Sequence, residues 1–395
     1  MAKNIPPTYD KIARHAVFPE TEHDDRARYN FIANLNKHLA HVSRGNKVAY
    51  ERRVAPAFRR ASGRDFADRD ELARAMEGDP HYQTWSALRR STMEMRQQAG
   101  RSLTYRQAGE LAERVRRLNE RAPERLILDE GVAVPAYLRA VDNHLMPGSY
   151  HTEQFPGDVA NAANYDGGLF VTTAGLLGRY SDGGGKAIAD WVHTNHPEFR
   201  PRRILDIGCG MGHNVLPIAR RFPGAEIVAI DTGVPMLRYG HARATDLGYT
   251  NVTFQQADAA ELPFADESFD WVQSTMFFHE TGGKSIYRIL REIHRVLKPG
   301  GLTLHIEQPE YTDDMSLYEK FIRDWDAYNN AEPYWSKMHD IAPPDLLADC
   351  GFDRAKYLHF GAKAINDLAD PDGAAPEEPE DHGRSPVWNV FGSWK

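Results

Sequence analysis

The chain has 395 residues, 41% of them hydrophobic and 26% charged, which excludes wholesale disorder and leaves room for about two to three domains with cores of their own. Two cysteines, Cys209 and Cys350, exclude a disulfide framework and a cysteine-rich zinc site, and no metal site is expected. The net charge of −8 is uneven, with 26 Lys+Arg against 20 Asp+Glu over residues 1–150 and 22 against 36 beyond, but the basic residues alternate with acids and read as solvated helical faces, so nucleic acid is not expected as a partner.

The opening stretch MAKNIPPTYDKIARHAV lacks the apolar core of a secretion signal, and no run approaches the ~18 uncharged apolar residues of a membrane span. A cytoplasmic location with no membrane span is expected. Residues 1–145 read as an N-terminal helical domain. Phe31, Leu35, Leu39 and Val42 recur at helical steps within 24–42, and helices are predicted over 46–61, 68–77, 80–99 and 103–121. Such helices offer a surface on which two copies of the chain could pair. The Gly- and Asn-rich passages Met146–Tyr150 and Asn161–Gly168 read as loop or boundary. Helices are expected over 169–177 and 186–193, split by a break at Ser181–Gly185.

The period then changes. Short apolar strands are expected at 203–207, 226–230, 252–256, 269–274 and 302–306, with helices at 214–222, 234–247 and 284–297 between them. This alternation predicts a parallel sheet with helices on both faces. Residues 309–342 interrupt it with a helical insertion rich in Tyr, Phe and Trp, expected to lie over the ligand edge of the sheet. There its aromatic rings either line an apolar pocket or pack the insertion onto the domain. A short helix over 345–350 and strands at 355–360 and 387–394 complete seven strands. The acidic stretch 367–381 between the last two, seven acids without a basic residue, reads as an exposed loop.

The sharpest local signal is Leu205-Asp206-Ile207-Gly208-Cys209-Gly210-Met211-Gly212, a glycine turn between a strand and a helix. Glycines there allow a tight turn and close approach of a ligand. The spacing differs from the dinucleotide pattern, because His213 stands where a third spaced glycine would be. Asp206 at the end of the first strand would repel a pyrophosphate and attract a cationic group. Asp231 ends the second strand and suits both hydroxyls of a ribose. Asp258 and Ala259 follow the third and suit an adenine ring. Three acids at three successive strand ends mark the edge at which open α/β sheets bind ligands.

These residues carry a resemblance. Ile204–Gly212, Val228-Ala229-Ile230-Asp231, Gln256-Ala257-Asp258-Ala259-Ala260-Glu261-Leu262-Pro263-Phe264, Ser268-Phe269-Asp270 and Arg295-Val296-Leu297-Lys298-Pro299-Gly300-Gly301 are similar to the motifs of class I S-adenosylmethionine-dependent methyltransferases. The likeness is strongest to the ubiquinone/menaquinone-type small-molecule branch. The motifs occupy about a quarter of the chain. The resemblance implies an α/β fold with a Rossmann-like seven-stranded sheet over residues 146–395, carrying the insertion 309–342, and S-adenosylmethionine (SAM) as cofactor. It assigns the methionine part of SAM to Asp206 and the backbone of Gly208 and Gly210, with Cys209 counted among the cofactor-site residues as a structural member of a variable slot that needs only a small residue. It assigns the ribose to Asp231 and Thr232, the adenine to Asp258 and Ala259, and the region of the methyl group to Gln273, Ser274 and Thr275. Tyr150 and Tyr165 are candidates for an aromatic wall.

Displacement at a sulfonium methyl depends mainly on positioning, and a base helps when the acceptor must lose a proton. His279 and Glu280 after the fourth strand and Glu307 after the fifth are the candidate catalytic residues, with His151 and His213 behind them. Gln273-Ser274-Thr275-Met276-Phe277-Phe278 lacks the Asn/Asp-Pro-Pro-aromatic pattern of many enzymes that methylate exocyclic amines. The expected reaction is therefore methyl transfer to an oxygen or carbon of a small apolar or aromatic molecule. The alternatives are methylation of RNA or protein through the N-terminal helices, and a non-methylating protein built on the same scaffold.

Overall fold

The structure, a computed structural model, describes residues 5–368 and 387–395. Its centre is a sheet of eight strands: β1 (Leu126–Ile127), β2 (Arg203–Ile207), β3 (Glu226–Asp231), β4 (Val252–Gln256), β5 (Phe269–Thr275), β6 (Leu297–Ile306), β7 (Tyr357–Lys363) and β8 (Val387–Trp394). Their order is β1-β4-β3-β2-β5-β6-β8-β7. The first six run parallel, and β8 pairs antiparallel with both β6 and β7. The strand order reverses at β2, so the ends of β2, β3, β4 and β5 open onto one crevice.

Alternation along the strands explains the two faces. Ile204, Ile227 and Ala229 pack with Ile188, Val192 and Ile218 on one side. Leu205, Ile207, Val228 and Ile230 pack with Ile286, Leu290 and Ile293 on the other. A strand buried on both faces reads as a continuous apolar run, which is why these strands are visible in the sequence. The eighth strand corrects the expected seven. Leu126–Ile127 pairs with Phe254 and Gln255 of β4 from within the region expected to be helical. Two residues are too few to carry a period.

Two loops expected from glycine content are helical. Ala160–Thr172 is a helix that includes Asn161–Gly168, and Gly183–Asn195 begins inside the expected break. The glycines serve tertiary packing: a Cβ on Gly167 would lie 2.4 Å from the Tyr9 hydroxyl, and one on Gly185 would lie 2.0 Å from the carbonyl oxygen of Asn214. Close approach outweighs the poor helix propensity of glycine there. The helix His23–Ala49 also runs on, through a π turn at Tyr50–Val54, into Ala55–Ser62. Pro56 lacks an N–H and crowds the preceding turn, which the wider turn relieves. The acidic stretch 367–381 lies, from residue 369 on, outside the described residues. Among the described residues no helix is long and apolar enough to cross a membrane.

The insertion forms three short helices, Leu317–Arg323, Trp325–Asn329 and Trp335–His339. Tyr318 stacks on Tyr50 at 4.9 Å, Phe321 meets Tyr82 at 5.4 Å, and Trp325 meets Trp85 edge to face at 5.6 Å. The Trp325 indole donates to Ser86 Oγ at 2.8 Å, and the Arg89 guanidinium lies 4.2 Å above its ring. Of the two roles expected for these aromatics, the structure selects packing, here against the N-terminal helices. Replacing Trp325, 1% exposed, with alanine is expected to cost ~3–5 kcal/mol, read as a lower urea midpoint. A loss below about 1 kcal/mol would mean the contact contributes little.

Candidate active site

The glycine turn after β2 forms one wall of a cleft. Gly208, Gly210 and Gly212 have φ of 65°, 52° and 76°, a left-handed backbone that β-carbon-bearing residues resist. At Gly208 a Cβ would also lie 2.2 Å from the Phe277 ring, whereas beyond Gly210 there is open space. That space is where a ligand can approach the backbone. Asp231, at the tip of β3, accepts from the Gly210 and Gly233 amides at 2.8 Å each, one on each carboxylate oxygen. Burial pushes its carboxyl up, and those backbone hydrogen bonds pull against the shift. A carboxylate offers about four lone-pair positions, so those the amides leave free suit the hydroxyls of a ribose. The Asp258 carboxylate accepts from the Ala260 amide at 2.8 Å. Thr232, Asp258, Ala259 and Thr275 share the cleft wall with Cys209 and Asp231. This donor and acceptor set fits an adenosine moiety. The Cys209 thiol is pushed well up by burial and is not a nucleophile.

Three residues expected at the cofactor stand outside the cleft lining. Asp206 is 3% exposed, takes the Gln273 side-chain amide as its partner, and is pushed well up by burial. These two side chains are register partners on β2 and β5. Ser274 turns to the His305 imidazole, Oγ to Nδ1 2.8 Å, and His305 reaches Thr303 at 2.9 Å.

The same cleft is lined by Tyr137, Tyr150, Tyr165 and Glu280, and by His151 and His213. Burial lowers both histidines, His213 to about 4, so it stays neutral. Tyr150 and Tyr165 meet at right angles with centroids 5.5 Å apart. Glu280 accepts from the Tyr150 hydroxyl at 2.8 Å, from the His144 imidazole at 3.1 Å and from the Asn143 amide at 3.2 Å. Burial pushes Glu280 up, and the bonds from His144 and Tyr150 outweigh it, holding the carboxyl below its usual range.

Of the three candidate catalytic residues only Glu280 lines the cleft. His279 is 2% exposed and so is Glu307. They form a buried pair, Nδ1 to Oε1 2.6 Å, and Glu307 also accepts from the Phe278 and Gln308 amides at 2.9 Å. His279 Nε2 stands 3.7 Å from Glu332 Oε2, and Glu332 Oε1 stands 3.0 Å from His144 Nδ1. The insertion thus reaches the site through a carboxylate rather than through its aromatic rings. His144 and Glu332 have no local sequence signature, because the cluster joins segments more than a hundred residues apart in part of its span. Among the described residues no group of three or more His, Cys, Asp or Glu is arranged to hold a metal ion.

Burial disfavours a charged His279, but Glu307 and Glu332 override it and push the imidazole up to about 9. A histidine raised in the folded state contributes stability that is complete below its unfolded value near ~6.5 and lost as pH rises through the folded value. Stability of the wild type is therefore expected to fall between about pH 7 and pH 10, with His144, raised to about 10, adding the same sign at the upper end. His279→Asn starts less stable and shows a flatter decline. Equal slopes in urea titrations of the two proteins would exclude His279 as the source.

Residues 204–301 match a family model described as a methyltransferase domain. The chain is 40% identical over 112 residues to a demethylmenaquinone methyltransferase of Thermus thermophilus, covering 28% of this chain and 50% of that one. It is 36% identical over 149 residues to the protein of the same name from Symbiobacterium thermophilum, covering 37% and 55%. It is 32% identical over 189 residues to the ubiquinone/menaquinone biosynthesis C-methyltransferase UbiE of Pseudomonas syringae pv. tomato, covering 41% and 70%. The chain thus spans about half the length of the first two relatives and more than two thirds of the third.

Proposed function

Since the chain belongs to the class I SAM-dependent methyltransferases, we propose that it transfers the methyl group of SAM to an oxygen or carbon of a small aromatic molecule that carries a hydroxyl group. One observation carries this reading. A single cleft brings the acids Asp231 and Asp258, at and after the ends of β3 and β4, together with Tyr137, Tyr150, Tyr165 and Glu280. SAM, when bound, supplies a sulfonium methyl already activated for displacement. Gly210, Asp231, Asp258 and Ala259 hold its adenosine. The tyrosine rings exclude water and orient a flat acceptor. Glu280, ionised and fixed by three partners, accepts a hydrogen bond from the acceptor hydroxyl and receives the proton that methylation of oxygen or of an activated ring carbon releases. The relatives are named for demethylmenaquinone and for ubiquinone/menaquinone biosynthesis, which supports an aromatic acceptor.

The test is incubation of the full chain with deuteromethyl-labelled SAM and two fractions of a cell extract, one of small molecules and one of protein and RNA. Label in a small aromatic product supports the proposal. Label in the macromolecular fraction alone overturns it. Hydriodic acid releases an O-methyl and leaves a C-methyl, which separates the two acceptor atoms.

A further inference from the structure

The geometry points to His144 as the positioning residue of the acceptor end, which fixes Glu280 and couples it to the insertion through Glu332. The inference rests on the role proposed for Glu280. Both ring nitrogens of His144 face carboxylates, Nε2 at 3.1 Å from Glu280 and Nδ1 at 3.0 Å from Glu332. A neutral imidazole has one donor, and would turn a lone pair on one of the two. Only the imidazolium donates to both. The Asn330 side-chain NH2 donates to the same Glu332 oxygen, and stands 3.2 Å from His144 Nδ1 as a second donor to that oxygen, not as a partner of the ring.

The backbone at this point is unusual. His144 has φ 55° and ψ 30°, and Leu145 follows with φ 55°. Two successive residues with side chains in the left-handed region persist only where the surroundings dictate them. Gln97 dictates part of it, donating to the His144 carbonyl oxygen at 2.7 Å. The ring is then flanked by the two cleft tyrosines, Tyr150 at 6.3 Å and Tyr165 at 6.4 Å. Arg96 is the cation felt by both tyrosines from the helix Pro80–Tyr105. His279 faces Glu332 from the other side.

His144 therefore stands between the cleft wall and the insertion and touches neither end of the reacting pair. Its cation keeps Glu280 ionised and holds the carboxylate in one rotamer beside the Tyr150 hydroxyl. Losing it frees Glu280 to turn and to take up a proton, and leaves the cofactor acids Asp231 and Asp258 as they are.

The test uses the full chain saturated with S-adenosylhomocysteine. Carbon-13 labelling of histidine rings and glutamate carboxyls follows both titrations by NMR. The His144 ring, assigned by its absence in His144→Asn, is expected to keep its proton up to about pH 10, and Glu332→Gln is expected to lower that midpoint by about one unit or more. In His144→Asn the Glu280 carboxyl midpoint rises by a similar amount. Catechol affinity falls roughly tenfold or more, while S-adenosylhomocysteine affinity changes less than about twofold. A His144 ring that titrates below about pH 8 and ignores Glu332→Gln overturns the inference. So does a His144→Asn protein that loses S-adenosylhomocysteine as strongly as catechol. A wild type that does not bind catechol counts against the proposed acceptor class, and the two titrations then decide the coupling by themselves.

Discussion

Asp231→Ala is expected to weaken SAM binding by roughly 100-fold or more while leaving the protein folded. Two losses combine. The carboxylate would no longer accept from ribose hydroxyls, and hydrogen bonds to a charged group contribute about 1.5–3 kcal/mol each. The Gly210 and Gly233 amides would also lose their common acceptor, so the turn that must present Gly210 to the ligand would loosen. Asp231→Asn keeps the shape but turns an NH2 toward one of those two amides, donor against donor. It is expected to fall between wild type and alanine. Asp258→Ala removes a carboxylate that accepts from the Ala260 amide, and is expected to cost only about tenfold. Calorimetric titration with SAM and S-adenosylhomocysteine ranks the three. An Asp231→Ala protein within about threefold of wild type would remove the main support for the cofactor site.

The parts of this site that the sequence displays are those whose chemistry is local. A glycine turn with three left-handed residues has few substitutes, and Asp206 and Asp231 stand out against the apolar runs Ile204–Leu205 and Ile227–Ile230 that precede them. The parts it conceals depend on what arrives from elsewhere. Asn161–Gly168 looks like loop until Tyr9 and Arg96 fill the space that side chains would take. His279 and Glu307 follow strand ends, as cleft residues do, yet their side chains turn to each other beneath Trp335, 4.9 Å from the His279 ring. No period governs side-chain direction in the short 3₁₀ segment Phe278–Glu280, so neighbours in sequence divide, with His279 buried and Glu280 at the cleft. Asp206 reads as a ligand acid by position, but the register partner Gln273 takes its carboxylate. His144 and Glu332 carry no motif, since each gains meaning only from the other and from Glu280.

Glu280→Gln is expected to lower kcat/KM for the methyl acceptor by roughly 100- to 1000-fold, the range of a lost proton acceptor, with SAM affinity within about twofold of wild type. Glutamine keeps the volume of the side chain, so packing against Tyr137 and Tyr150 survives. It cannot keep the chemistry, because its single carbonyl oxygen must choose between the Tyr150 hydroxyl, the His144 imidazole and the acceptor, where the carboxylate serves all three. The pH dependence separates a proton acceptor from a merely structural group. Glu280 is held below the usual carboxylate range because His144 and Tyr150 outweigh its burial. The ionised form is the active one, so wild-type activity persists as pH falls past the ordinary value near ~4.3 and declines only through the lowered one. The Gln variant has no such acid limb, and its residual rate stays flat there. A variant that keeps more than about a third of wild-type kcat/KM would place the whole rate on alignment of acceptor and methyl donor. In that case Glu280 would be a wall of the cleft and nothing more.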